Sequence, residues 1–475
     1  MTLGKERVEM RKVMEILVIC MLFLMVSGNF HLKAAEQNYI SEQAFANQLN
    51  TVSKVGATHQ TGRDTLLTRG KAAQMIVNYL NATAIAKSLE DTSHFSDVTE
   101  SKGAIELVYQ LGIMHGVSEA LFAPDAQVTV EAAQNVIMQL NSKLQTPTTW
   151  RHACYAINSS GQMDLLNTYQ AVSFGWAEVI HKNGSFDVSL SEGNFKLPSG
   201  FEMPIDYAKA NGVETYLMVY WEPGDTVMQS FLGNAQSRKA LIDTLILQVN
   251  GVTKDGVTRE FDGITIDFEG LKSSAIQLPY VQFLKELKAR LMAQNKKLNI
   301  AVQPTLYYKG YDYKGIGEAA DHIILMAHDY GSQTLSLQEQ QQGITTTPIT
   351  PIKEVYTALK EAKNAIGDTS KIALQFSFGS LQWQKQSEVT INSKAYTPSY
   401  DKIEARLMQP NTKVYFDTYS QDTYATYDEN GIINVIWYED ANSITAKMEI
   451  ARLLGITSFS YWRLGTIPKD VVNLI

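Results

Sequence analysis

From Trp150 onward, short apolar runs alternate with longer amphipathic stretches. The runs cover residues 154–157, 171–176, 215–220, 263–268, 298–303, 322–327, 372–376 and 458–462. Near-continuous aliphatic and aromatic residues bounded by turn formers mark strands buried on both faces, and the stretches between them are long enough to be helical crossovers. Eight such units predict an α/β fold, a (β/α)8 TIM barrel over residues 150–475. One interval, about 384–437, is too long for a crossover. It holds a further apolar run at 414–418 and a turn sequence Asp428-Glu429-Asn430-Gly431, which predicts a small α+β insertion between the seventh and eighth strands.

Ahead of the barrel the pattern changes. Residues 36–140 read as a small all-α domain, helices joined by polar loops, and 141–149, polar with one proline, as a linker. Residues 1–35 stand apart from both. Lys5, Arg7, Arg11 and Lys12 precede an apolar stretch at 16–26, followed by the small residues Ala34 and Ala35, the layout of a signal peptide. Glu6, Glu9 and Glu15 are unusual in such a leader, and a retained anchor is the alternative.

Composition narrows the function. Hydrophobic residues make up 45% and charged residues 19%, values of a folded globular chain. Removing the leader takes five positive and three negative side chains, so the formal charge moves from −8 to −10. So acidic a chain is a poor partner for nucleic acid. Of the two cysteines, Cys20 lies in the leader, which leaves Cys154 without an internal disulfide partner and best read as a small buried hydrophobe. No Cys or His pair has metal-ligand spacing, no phosphate-binding glycine loop opens a helix, and neither a cofactor nor a stable protein partner is implied.

The candidate chemistry sits on the fourth strand, in Phe261-Asp262-Gly263-Ile264-Thr265-Ile266-Asp267-Phe268-Glu269-Gly270. Strand side chains alternate faces, so Thr265, Asp267 and Glu269 share one face and Ile264, Ile266 and Phe268 the other. Two carboxyls in file repel when both ionise, which raises the pKa of one, as a general acid at neutral pH requires. Barrel active sites lie at the C-terminal strand ends, where Glu269 is joined by His328-Asp329-Tyr330 after the sixth strand and by Trp462 at the end of the eighth. Gln303 and Trp221, at the ends of the fifth and third strands, are further candidates for substrate contact.

The fourth-strand string resembles the D-G-x-D-x-D-x-E signature of glycoside hydrolase family 18, the chitinase and endo-N-acetylglucosaminidase family. Asp262, Gly263, Asp267 and Glu269 match, and Thr265 stands where the family usually has Asp. The resemblance implies substrate-assisted retaining catalysis. Glu269 would protonate the glycosidic oxygen, Asp267 would orient the substrate acetamide, Asp262 would hold the strand network, and Trp462 would floor the pocket of the reacting sugar. At the sixth strand Met326-Ala327-His328-Asp329 replaces the family's Met-x-Tyr-Asp, so His328 would donate to the acetamide in place of tyrosine, supported by Asp329. The third strand shows Met218-Val219-Tyr220-Trp221 in place of Ser-x-Gly-Gly. Together with Trp437-Tyr438-Glu439-Asp440 and Tyr461-Trp462-Arg463-Leu464-Gly465, these departures resemble bacterial members acting on peptidoglycan or spore cortex.

Within the helical domain, Phe95-Ser96-Asp97-Val98, Gly112-Ile113-Met114-His115-Gly116, Phe122-Ala123-Pro124-Asp125 and Val128-Thr129 resemble an S-layer homology module. A degenerate first copy keeps Leu67-Thr68-Arg69, whereas the second has Thr129-Val130 and lacks the arginine that would grip an acidic sugar. The expected function is a secreted, wall-associated bacterial hydrolase cleaving β-1,4 bonds after N-acetylglucosamine in peptidoglycan or chitin-like polysaccharide, with a cell-wall polymer as partner of the helical modules. The alternatives are a lectin-like barrel without turnover and a wall-attached structural protein.

Overall fold

The computed structural model describes residues 38–475, and the expected signal peptide lies outside them. Eight strands form the barrel: β1 (Trp150–Tyr155), β2 (Ala171–Lys182), β3 (Glu214–Trp221), β4 (Gly263–Phe268), β5 (Lys297–Val302), β6 (His322–Leu325), β7 (Ile372–Ser377) and β8 (Ser458–Trp462). Each pairs in parallel with the next, and β1 pairs with both β8 and β2, which closes the cylinder. β1 begins four residues before the expected run, because Trp150, polar-flanked in sequence, already pairs with Ser458. β2 outruns its apolar core and folds back on Ser185–Ser189 as a hairpin.

The strands sort their side chains into two layers. Ile264, Ile266 and Phe268 point outward, and Phe268 packs against Trp221, Tyr280 and Phe283 with ring centroids 5.3, 6.2 and 5.8 Å away. The inward layer is unusually polar: His152, Ser173, Thr265, Asn299, Gln375 and Ser460 are all buried inside the barrel. A polar interior is tolerated only where its groups find partners, and most of these do.

The insertion between β7 and β8 is a five-stranded antiparallel sheet running from Ser380 to Tyr438, plus the helix Tyr400–Leu407. It is wider than expected because its first strand, Ser380–Gln386, follows β7 after two residues. The hairpin between Asp422–Glu429 and Ile432–Tyr438 turns on Asn430 and Gly431, both left-handed, the geometry that matches strand twist in a two-residue loop. Its base is held to the helix Ala441–Leu453 by Lys447, fully buried between Asp422 (2.6 Å) and Glu439 (3.0 Å). Glu439 therefore braces the fold and does not face the cavity.

The helical region packs on the barrel's flank. Its closing helix, capped by the Thr129 hydroxyl, runs Val130–Leu144, so the linker shrinks to 145–149. A buried ion pair joins Lys54 to Glu449 (3.3 Å), Glu449 also accepts from the Val55 amide (3.1 Å), and the Tyr356 hydroxyl donates to Gln110 (2.6 Å). One continuous apolar core runs through both parts. Arg69 is turned inward: its Nε donates to the Phe122 carbonyl (2.8 Å) and its guanidinium lies 4.5 Å from the Phe122 ring.

Candidate active site

At the C-terminal end of the barrel a cavity of about 630 Å³ is lined by Asp267, Glu269, Gln303, His328, Asp329, Tyr330 and Trp462, among others. β4 positions the acids. Its backbone is pinned on both sides by parallel ladders to β3 and β5, and the Glu269 amide donates to the Trp221 carbonyl (2.8 Å), extending the ladder to the strand's last side chain.

Gln303 sets the orientation of Glu269. The Gly270 amide donates to Gln303 Oε1 (2.8 Å), so its Nε2 must face Glu269 Oε2, 3.2 Å away, while the nearby Tyr311 hydroxyl gives its hydrogen to the Phe268 carbonyl (2.6 Å). Burial pushes the Glu269 carboxyl up, the nearby Glu222 carboxylate adds to this and His328 opposes it, leaving a pKa of about 7. Asp267 lies deeper, and burial together with Glu269 raises it well above the usual carboxylate range. Its Oδ1 has no hydrogen-bond partner among the described residues. Between them the two carboxyls retain a proton at neutral pH.

His328 departs from its expected role. Nδ1 faces Asp329 Oδ2 (2.9 Å) and Nε2 faces Gln375 Oε1 (3.0 Å), whose own Nε2 donates to Ser460 (3.2 Å). Both facing atoms are acceptors, so both ring nitrogens carry hydrogen and neither is free for a substrate acetamide. Burial disfavours that charge, but Asp329 and the two hydrogen bonds outweigh it and raise the pKa. Asp329 is held below its usual range although burial pushes the other way, because His328 and the Ser377 hydroxyl favour its charge. It adopts φ 58°, a left-handed conformation that Asp tolerates better than most residues.

Other candidates separate by strand parity. Trp462 is half-buried at the cavity floor, beside Phe195 (6.2 Å) and in an apolar cluster with Cys154 and Met218. Tyr330 lines the wall with its hydroxyl unpartnered among the described residues. Trp221 points the other way, into the outer layer against Phe186, Phe231 and Phe268, so it touches no substrate in this cavity. Asp262 lies at the opposite end of the barrel, accepting from the Thr215 amide and hydroxyl (2.9 Å each). The sequence reading missed Cys154, Gln375, Tyr307, Tyr308 and Lys272 in the cavity wall. Cys154 and Gln375 were detectable in principle, since each shares its strand's inward parity with a polar neighbour, His152 and Ser377.

A model of glycosyl hydrolases family 18 matches residues 153–466, two thirds of the chain and all of the site just described. The chain belongs to this family. An S-layer homology domain model matches residues 94–129. A cortical fragment-lytic enzyme of Bacillus anthracis is 27% identical over 209 residues, covering 42% of this chain and 46% of that protein. Its Bacillus subtilis counterpart is 25% identical over 233 residues, covering 47% and 51%. The chain thus spans about half the length of the curated relatives it matches. Among solved structures, the Bacillus cereus spore cortex-lytic enzyme SleL aligns with TM-score 0.56 at 18% identity, covering 77% of this chain and 83% of that one. A chitinase-like agglutinin from Robinia pseudoacacia aligns with TM-score 0.54 at 17% identity, covering 68% and 97%. Those structural likenesses show the barrel fold.

Proposed function

We propose that this family 18 protein hydrolyses β-1,4 bonds after N-acetylglucosamine in wall glycans, by substrate-assisted catalysis with retention. The observation that carries the proposal is Glu269, a carboxyl protonated up to about pH 7, held by Gln303 at the rim of a cavity deep enough for a sugar. Glu269 gives its proton to the glycosidic oxygen, and the leaving sugar departs with a new hydroxyl. The acetamide oxygen of the bound N-acetylglucosamine attacks its own anomeric carbon, and a buried, largely protonated Asp267 is better suited to orient that group than to act as the nucleophile itself. Water then attacks the oxazolinium ion, its proton returns to Glu269, and the acetamide is restored. Trp462 offers an aromatic floor to the pyranose.

The relatives named as cortical fragment-lytic enzymes favour peptidoglycan over chitin, and the S-layer homology match favours attachment at a bacterial surface. Since Arg69 is engaged within the helical region and Val130 replaces its counterpart, wall contact would use other side chains. Incubating the purified protein and its Glu269→Gln variant with peptidoglycan glycan strands and chitin oligomers, followed by mass spectrometry of new reducing ends, tests the proposal. Products ending in N-acetylglucosamine from the parent alone are expected. Sugar binding without products from either protein would replace the hydrolase reading by a lectin.

A further inference from the structure

Lys272 lines the cavity but takes no part in the acid–base chemistry. Among the described residues of that lining it is the only lysine or arginine. The other charged groups there are Asp267, Glu269 and the His328–Asp329 pair, whose two charges offset each other. Glu222 adds a further carboxylate that acts on Glu269. A cavity of this composition repels an anionic glycan unless Lys272 compensates.

The loop that leaves β4 fixes Lys272 by its backbone and leaves its ammonium free. The Gly270 amide donates to Gln303 Oε1 (2.8 Å), the Leu271 carbonyl accepts from the Gly310 amide (2.9 Å), and the Lys272 amide donates to Asp225 Oδ1 (2.9 Å). Three successive residues are thus held. The side chain itself is exposed, and its Nζ has neither an ion pair nor a hydrogen bond among the described residues. A free cation on an anchored stem binds an anion at low ordering cost.

Substrate chemistry says which anion this is. With the reacting N-acetylglucosamine over Trp462 and Asp267, the leaving sugar lies beyond Glu269, where the exposed Lys272 and Tyr307 and the half-buried Tyr308 form the wall. Glu269 protonates O4 of that sugar. In peptidoglycan the leaving sugar is N-acetylmuramic acid, whose lactyl ether sits on the adjacent O3, so a carboxylate lies a few bonds from the oxygen that takes the proton. In chitin the same position carries a hydroxyl. The acid and, three residues on, a free cation thus match O4 and the anion carried by its neighbour.

We propose that Lys272 is a specificity-determining residue: its ammonium receives the free lactyl carboxylate of the leaving sugar and so selects peptidoglycan strands over neutral chitin. That carboxylate is free only where the stem peptide has been removed, so hydrolysis of the lactyl–peptide amide bond precedes cleavage at the positions Lys272 selects. The inference rests on the hydrolase reading and deepens it.

The test measures kcat and KM of the whole protein on three glycans: peptide-free peptidoglycan strands, the same strands with their lactyl carboxyls coupled to methylamine, and chitin oligomers of matched length. In the parent, conversion of the carboxylate to the methylamide should raise KM about 10-fold, the weight of one hydrogen bond between charged groups. Lys272→Met, with thermal unfolding to confirm its folding, should show that higher KM on the free-acid strands and no further rise on the methylamide, because the partner is already gone. The loss should fall on KM rather than kcat, since the contact is made in the ground state as well. Lys272→Arg should keep most of the preference. A parent that treats acid and methylamide alike, or a folded Lys272→Met with parental KM on the acid, would overturn the assignment while leaving the hydrolase reading intact. So would a parent that cleaves chitin and spares the strands. A parent inactive on every glycan would overturn both.

Discussion

Glu269 makes the reactivity of this site a matter of pH. With its carboxyl raised to about 7, the acid form needed to protonate the leaving group is lost above neutrality. The rate, measured as kcat/KM across pH 5–9, should therefore fall on an alkaline limb near pH 7, a value that belongs to the Glu269–Asp267 pair as much as to either acid. Because the exposed Glu222 carboxylate is part of what lifts Glu269, Glu222→Gln should move that limb to lower pH. The same shift enters stability. The folded pKa exceeds the unfolded one, so the folded state binds the proton more tightly, and stability declines as pH rises from about 4.5 to about 7, then levels. Glu269→Gln removes this penalty. Urea unfolding should show the variant more stable than the parent at pH 8, by up to about 3 kcal/mol, with the difference fading below pH 5.

At the scale of elements, the insertion is the part most exposed to failure. A five-stranded sheet set between β7 and β8 must be fixed to the barrel, and Lys447 does this by joining Asp422 on the insertion's hairpin to Glu439 at its exit. All three groups are buried, and Asp422 is pushed up to about 7 by burial despite the neighbouring ammonium. Removing the single cation strands two carboxyls in a low-dielectric site. Lys447→Met should cost about 3–5 kcal/mol in chemical denaturation at pH 8, and less at pH 5, where Asp422 takes up a proton. Replacing Lys385, whose partner Glu388 is exposed, should change stability by less than about 1 kcal/mol.

For the molecule as a whole, the helical region and barrel behave as one body. The Lys54–Glu449 pair is buried at their contact, and the apolar core passes from one to the other without a break. A chain beginning at Trp150 would leave Glu449 unpaired and expose the helices that the N-terminal region covers. Loss of one buried partner alone is worth about 3–5 kcal/mol, or roughly 5 °C in Tm for a chain of this size. Calorimetry of residues 150–475 should show at least that drop, or the fragment should aggregate. A Tm equal to that of the longer protein would mean that the helical region is an independent appendage.

Periodicity in the sequence was enough for the barrel, because strands buried on both faces must be apolar throughout and eight such runs leave few alternatives. It also reached the insertion, whose Asn430-Gly431 turn is dictated by local backbone chemistry, and the Asp267–Glu269 pair, whose shared face follows from strand pleating alone. Parity should also have turned Trp221 away from the cavity, since Met218 and Tyr220 take the inward positions of β3. What no local pattern contains is the direction in which a polar group finds its partner. His328 lost its expected contact because Gln375, from the next strand round, occupies its second nitrogen, and Thr265 meets Ser173, and Ser173 meets His152, only because β4, β2 and β1 face one another across the barrel interior. Those partners lie far apart in the chain and meet only when the cylinder closes, so their chemistry is settled by tertiary structure.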